Sequence, residues 1–328
     1  MNQNQSTLPT QPNSLEEVDP LAETQMIDLY ERMAEARQNP IIKPASPKLT
    51  RRKPSWGCCC LVFTLIPLII LAGVASVYLM GPGRTNVLLI GIDARPKEDN
   101  LGRTDTMILT TFQPLRPYVG MLSIPRDLWV RVPGYGENRI NTAHFFAEAA
   151  RAGNGPDAAM EVVRQNFSVN VDYYVRVHFN GFIDIVDSLG GVDVTLATDM
   201  SGYTAGTYHL DGKKALALAR DRETSDDFYR MGRGQLVIKS MLKEIINPAK
   251  WARLPAVFLA AAQAVDTNVP VWQWPRLAFA ILRVGPTGMD TRIISREMVK
   301  PFITTEGADV LAPNWAAINP VIKEMFGQ

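Results

Sequence analysis

Four clusters of charged residues carry the chemistry open to this sequence. Gly91-Ile92-Asp93-Ala94-Arg95 directly follows an apolar run, and Gly102-Arg103-Thr104-Asp105-Thr106 directly precedes another. Two carboxylates near the ends of adjacent strands can converge on one hard cation. Magnesium takes oxygen ligands and combines one or two carboxylates with substrate phosphates. An aspartate at a strand end is more often a turn residue or a helix cap than a metal ligand. The third cluster is Ser123-Ile124-Pro125-Arg126-Asp127. The fourth is Arg220-Asp221-Arg222, followed by the stretch from Asp226 to Gln235. Arginine dominates throughout, at Arg95, Arg103, Arg126, Arg220, Arg222, Arg230 and Arg233. A guanidinium fork grips phosphate oxygens bidentately and keeps its charge when buried. Arg230 and Arg233 stand three apart, on one face of a helix. The alternative for each arginine is a solvated ion pair with a neighbouring aspartate.

Other chemistries find little support. His144, His178 and His209 are scattered, with no metal-ligand pair at helical spacing. Ser123 has no Gly-x-Ser-x-Gly around it, which argues against a serine hydrolase. The three cysteines are consecutive, Cys58, Cys59 and Cys60. Such spacing suits neither a disulfide framework nor a tetrahedral zinc site, and a cysteine-based enzyme is not expected. Lys+Arg is 34 against Asp+Glu 33, a net charge of +1, without the basic excess of a nucleic-acid coat. No nucleic-acid partner is expected.

The elements that must position these clusters alternate along the chain. Apolar runs at Val87 to Ile90, Met107 to Phe112, Tyr118 to Ile124, Tyr173 to Phe179 and Val192 to Leu196 read as buried strands. Helical patterns cover Asn141 to Arg151, Asp157 to Phe167, Gly181 to Leu189, Lys213 to Arg220, Met231 to Ile246 and Trp272 to Leu282. This order indicates an α/β fold, an α-β-α sandwich with a mixed central sheet flanked by helices. With 328 residues, 46% hydrophobic and 20% charged, the chain has globular composition. One segment departs from it. Cys58 to Met80 has no charged residue, and as a helix it is about 34 Å long, enough for a hydrocarbon core of about 30 Å. Arg51, Arg52 and Lys53 precede it and a single Arg84 follows, so the positive-inside rule puts the N-terminus in the cytoplasm. The expected organisation is a tail over 1–55 with a short helix at Leu21 to Arg37, a transmembrane helix over 56–80, and an extracytoplasmic domain over 81–328. That domain has its motif core at 86–246 and a helical part at 247–328.

The ordered set of motifs resembles the LytR-CpsA-Psr (LCP) family of bacterial cell-wall glycopolymer phosphotransferases. It runs from Val87-Leu88-Leu89-Ile90-Gly91-Ile92-Asp93 through Gly102 to Met107, Leu122 to Asp127, Pro133 to Gly136, Arg139-Ile140-Asn141, Phe179 to Phe182 and Val186 to Val192. It ends with Arg220-Asp221-Arg222 and Arg230 to Gln235. The resemblance implies transfer of a glycopolymer phosphate from a polyprenyl-pyrophosphate lipid to a peptidoglycan hydroxyl at the cell membrane. It implies catalytic roles for Asp93, Arg103, Asp105 and Arg126, with Mg2+ (or Mn2+) on Asp93 and Asp105. Arg103, Arg126, Arg220, Arg222, Arg230, Arg233 and Gln235 match the family's pyrophosphate-binding positions. Gly234 stands where the family's Arg-Gln-Gln ending has its first glutamine, and no role is carried onto it. A lipid tail needs an apolar cleft, which Phe145, Phe146, Phe167, Phe179, Phe182, Val186 and Leu189 are expected to line. The alternatives are hydrolysis of the same lipid pyrophosphate, with water as acceptor, and a non-catalytic lipid-pyrophosphate-binding regulatory protein of the envelope.

Overall fold

The computed structural model describes residues 20–38, 56–79, 81, 83–93, 101–102, 104–221 and 227–327. The chain divides into two units, 1–64 and 65–328. In the first, helix α1 (Pro20–Gln38) has exposed side chains wherever they are described. Helix α2 (Trp56–Leu79) contains no charged residue and carries Pro67 inside it. Among the described residues no helix is long and apolar enough to cross a membrane. The side chains of 56–63 and the whole of residue 80 lie outside that description, so the expected segment is only partly covered by it.

The elements of the second unit, in chain order, are β1 (Thr85–Ile92), β2 (Thr104–Gln113), β3 (Tyr118–Ser123), β4 (Trp129–Val132), β5 (Gly136–Arg139), α3 (Thr142–Ala150), α4 (Gly155–Phe167), β6 (Tyr173–His178), α5 (Phe179–Ser188), β7 (Val192–Leu196), β8 (Gly206–Leu210), α6 (Gly212–Arg220), α7 (Asp227–Ile246), α8 (Leu254–Ala264), β9 (Val265–Thr267), α9 (Trp274–Val284), β10 (Asp290–Ile293), β11 (Val299–Ile303), β12 (Asp309–Pro313) and α10 (Trp315–Phe326). Six strands form the central sheet in the order β10-β3-β2-β1-β6-β9. It is mixed, because β1–β6 and β3–β10 pair in parallel while β1–β2, β2–β3 and β6–β9 are antiparallel.

Both faces of the sheet are covered, which is why its inner strands read as continuous apolar runs. Leu88, Ile90 and Ile92 of β1 join a core with Ala159 and Val163 of α4 and Ile318 and Phe326 of α10. Val87 points the other way, into a core with Leu277 and Ala280 of α9. A third core on that side packs Ile185 and Val186 of α5 with Leu218 of α6, Val237 of α7 and Val257 of α8. The helices thus form two layers, α3, α4 and α10 on one face and α5 to α9 on the other.

Two expectations need correction. The strand at Val192–Leu196 exists but, among the described residues, pairs with β8, outside the central sheet. The part beyond 247 is not simply helical, since β9 and β10 supply both edges of the sheet. Each is short, and Asp290-Thr291-Arg292-Ile293 has a single large apolar side chain, so neither leaves a hydrophobic period to read.

Candidate active site

The antiparallel pair β1–β2 brings the two aspartates together. Asp93 follows the last residue of β1, Asp105 is the second residue of β2, and a register shift at Gly91/Ile92 sets Ile92 opposite Thr104. Arg220 arrives on the last turn of α6. That helix is started by Asp211, whose carboxylate accepts a bond from the Lys214 amide at 2.8 Å, and it packs closely on α5. A side chain at Gly212 would place its Cβ 2.4 Å from the Ile183 carbonyl oxygen, so only glycine allows that approach. Arg220 Nη2 lies 2.7 Å from Asp93 Oδ2, and its guanidinium sits 4.4 Å above the ring of Phe179, the first residue of α5.

Arg126 comes from the loop after β3. Its Nη1 is 2.7 Å from Asp105 Oδ1, and its Nε is 3.3 Å from Asp127 Oδ2 and 4.0 Å from Asp227 Oδ1. Burial works against the charge, but the hydrogen bond donated to Asp105 and the negative charges of Asp127, Asp105 and Asp227 outweigh it and hold the Arg126 pKa above its usual value. Arg230, on the first turns of α7, pairs with Asp227 at 2.6 Å and donates to the backbone carbonyl of Asp105 at 3.3 Å. Arg126, Arg220 and Arg230 therefore surround the two aspartates.

A cavity of about 280 Å³ leads away from this cluster, between the sheet and α5, α6 and α7. Asp105, Arg220 and Arg230 line it, and its walls are otherwise dominated by apolar side chains such as Leu89, Val175, Phe182, Leu216, Met241 and Ile245. An open polar recess adjoins it, sharing Asp105, Leu216 and Arg220 and adding Asp93, Lys213 and Asp221. Cations at one end and hydrocarbon along the rest suit an amphiphile with an anionic head.

Other expected residues stand elsewhere. Arg95, Arg103 and Arg222 lie outside the described residues. Arg233 is buried and donates to the backbone carbonyl of Asp221. Gln235 faces the sheet, where its amide nitrogen donates to Ser123 Oγ at 2.9 Å and to the carbonyl of Arg292 at 2.8 Å, tying α7 to β3 and β10. Phe179 and Phe182 line the cavity, while Val186 and Leu189 are fully buried in the core beneath α5. Phe145 and Phe146 sit on α3, in the opposite helix layer, where Phe146 stacks on Tyr135 with centroids 4.7 Å apart. Phe167 packs in the core of that same layer, edge-on to Trp315 at 5.3 Å.

Asp227 holds Arg230 in the ion pair that the sequence offers as the alternative for each arginine, and the wall formed by Val237, Met241 and Ile245 is what the sequence reading missed. The signal was there: Arg230, Gly234, Val237, Met241 and Ile245 recur at helical spacing along one side of α7. Gly234 sits mid-helix and lines the cavity, and a Cβ built on it meets nothing within 4 Å.

Residues 76–325, most of the chain, match the LytR_cpsA_psr family. The chain belongs to that family. Over 165 residues it is 39% identical to "Polyisoprenyl-teichoic acid--peptidoglycan teichoic acid transferase TagU" of Oceanobacillus iheyensis, covering 48% of this chain and 51% of that protein. Over 196 residues it is 31% identical to "Regulatory protein MsrR" of Staphylococcus aureus, covering 57% of each. The chain thus spans about half the length of the curated relatives it matches. Its fold matches the structure of TagT bound to LI-WTA with a TM-score of 0.58 at 25% identity, over 76% of this chain and 92% of that one.

Proposed function

We propose that this family member is a membrane-anchored phosphotransferase that moves a glycopolymer phosphate from a polyprenyl-pyrophosphate lipid to a hydroxyl of peptidoglycan. The carrying observation is the apolar cavity that ends at Asp105, Arg220 and Arg230. The name of the 39% identical relative, a teichoic acid transferase, supports the same reaction class. The cavity holds part of the polyprenyl tail and the arginines hold the pyrophosphate.

In the reaction the acceptor hydroxyl attacks the phosphorus that carries the glycopolymer. Its new P–O bond replaces the bond to the bridging oxygen, and polyprenyl phosphate leaves with that oxygen and its negative charge. Arg126, Arg220 and Arg230 offset the charge that gathers on the leaving phosphate. Asp93 or Asp105 takes the hydroxyl proton. The same two carboxylates fit a magnesium or manganese ion, because both line one recess and each has an oxygen in no ion pair among the described residues. Held by Asp93 and Asp105, an ion of that kind would supply further neutralisation of the phosphate charge. Arg103 and Arg222 join this set on the strength of the family's motif. The charge-free segment 58–80 anchors the chain, with the N-terminus in the cytoplasm and the site outside, where it meets both lipid donor and wall.

The test uses the full chain, a polyprenyl-pyrophosphate-linked glycopolymer, magnesium and peptidoglycan, following covalent attachment of polymer to wall. Arg126→Ala and Asp105→Ala are expected to abolish attachment while circular dichroism stays unchanged; removal of one phosphoryl-clamping arginine can cost about 10³–10⁵ in rate. Normal attachment by both variants would overturn the assigned roles. Release of free polymer phosphate as sole product, with peptidoglycan present, would replace transfer by hydrolysis.

A further inference from the structure

Helix α8 has the sequence Leu-Pro-Ala-Val-Phe-Leu-Ala-Ala-Ala-Gln-Ala, without a charge, yet Val257 is its one buried side chain. A helix apolar on all sides belongs in an interior or against another apolar phase. The exposure continues beyond it. Trp251, Phe258, Leu259, Val271, Trp272 and Trp274 each show 45% or more of their surface to solvent. Single exposed apolar residues are ordinary, but a run of this kind with three tryptophans marks a contact surface. Between residues 248 and 284 the basic residues are Lys250, Arg253, Arg276 and Arg283, and the single acid is Asp266, which pairs with Arg176 at 2.6 Å. Aromatic side chains edged by arginine and lysine are the composition of a bilayer interface.

Two connections say what covers this surface. Arg276 of α9 donates to the backbone carbonyls of Gly81 at 3.0 Å and of Gly83 at 2.5 Å. Gly81 lies two residues beyond the last residue of α2, at most about 7 Å along the chain, so α9 is fastened where the charge-free segment ends. The second connection is the cavity. Met241 and Ile245 of α7 pack against the core that contains Val257 of α8, Ile238 and Leu242 pack against the core that contains Leu277 and Ala280 of α9, and all four line the cavity wall. Arg230 to Ile245 is fifteen steps of helix, about 22 Å. The part of the cavity wall farthest along α7 from the arginine cluster therefore belongs to the same apolar cores as α8 and α9.

We infer that α8, α9 and the segment between them form a docking surface for an anionic lipid bilayer, seated in the outer leaflet and delivering the lipid tail into the cavity from its apolar end. Trp251, Trp272 and Trp274 sit at headgroup level, and Phe258 and Leu259 enter the acyl boundary. The inference rests on reading segment 58–80 as a membrane anchor, and it deepens the proposed transfer reaction by naming the route of the donor.

The test places the full chain in vesicles of phosphatidylcholine and phosphatidylglycerol that carry doxyl-labelled lipid, and reads tryptophan emission. Wild type is compared with the variant W251F/W272F/W274F and with W56F. The expected result is that most of the emission contributed by the three surface tryptophans is lost to the lipid quencher, alongside the loss at Trp56. Quenching at Trp56 with none at the three overturns the docking surface alone. Quenching at neither overturns the anchor and the docking surface together. Shielding of the three that follows protein concentration and ignores labelled lipid assigns the face to a second copy of the chain and also overturns the inference. Phe258→Glu with Trp272→Glu, at exposed positions outside the site, is expected to depress transfer from vesicle-borne donor and spare transfer from detergent-dispersed donor. Equal loss with both donors, or none with either, counts against delivery through this face. A wild type without turnover in either condition sinks the transferase reading while the fluorescence result still stands.

Discussion

Arg126, half-buried, and Arg176, fully buried, show two uses of a guanidinium inside the fold. Arg126 is bracketed by three carboxylates, one of which, Asp105, lines the cavity, so its charge is held in place beside the site. Arg176, 3% exposed on β6, is closed in: it lies 3.2 Å from His144 Nε2, 3.2 Å from Glu148 Oε2 and 2.6 Å from Asp266 Oδ2. Glu148 also accepts the backbone amides of Gly153 and Gly155 at 2.8 Å, which fixes the turn into α4. Burial is the main reason that His144 is pushed down to about 4, with the Arg176 charge adding to it, against smaller opposing effects of Glu148 and the Gly102 backbone. The sign of the linkage follows. Between pH 6.5 and pH 4 the unfolded chain protonates this histidine and the folded chain does not, so stability falls as pH is lowered through that window. The full shift corresponds to about 3 kcal/mol. Glu148, held low against its burial by the two glycine amides and Arg176, adds its own loss only below the usual carboxylate range. Thermal unfolding of the full chain in detergent is expected to show the melting temperature dropping from pH 7 to pH 5, and His144→Gln is expected to flatten that part of the curve. An unchanged slope in the variant would place the acid sensitivity elsewhere.

At the scale of elements, α7 does three jobs with one sequence. One side carries Arg230, Gly234, Val237 and Met241 along the cavity, Gln235 binds the ends of β3 and β10, and Arg233 reaches the α6–α7 connection. A glycine in mid-helix costs about 1 kcal/mol relative to alanine, and at Gly234 no close neighbour demands it. What it leaves is open space inside the cavity. Gly234→Ala is therefore expected to stabilise the chain by about 1 kcal/mol with little effect on donor binding. Gly234→Phe is expected to fill the cavity one turn from Arg230 and weaken donor binding strongly while the melting temperature holds. Equal donor affinity in wild type and Gly234→Phe would mean that the tail does not pass this point. The existence of α7, with its cluster of arginines, was legible from the sequence. The direction of Gln235 was not, because a polar residue two positions after Arg233 gives no hint that Ser123 Oγ and the carbonyl of Arg292 wait behind it. The inner strands were legible for the opposite reason: with both faces buried, they have nothing to alternate with. The same logic hid β9 and β10, whose pairing comes from the sheet edges already formed by β6 and β3 and not from their own pattern.

At the scale of the whole molecule, topology decides which aromatic residues can touch a lipid. The chain passes from β3 through α3 and α4 on one face, enters β6, and places α5, α6 and α7 on the other. Phe145 and Phe146 look equivalent to Phe179 and Phe182 in the sequence, yet the first pair is on the wrong side of the sheet. No local pattern carries that information; the parallel pairing of β1 with β6 does. The result is an apolar passage whose wall follows α7 from Arg230 to Ile245, about 22 Å of helix. A passage of fixed length makes a quantitative demand on its ligand. Each methylene of a polyprenyl tail that moves from water into it gains about 0.8 kcal/mol, and carbons beyond its end gain nothing further from the protein. In a series of isoprenyl pyrophosphates of increasing length, kept below the concentration at which they form micelles, affinity for the chain is expected to climb steeply and then level off. Gly234→Phe is expected to move the level point to shorter tails, because the ring blocks the passage close to the head. Affinity that is flat from the shortest tail would show that the arginine cluster acts alone. Affinity that climbs without levelling would mean that the tail lies along the open surface and not in the cavity.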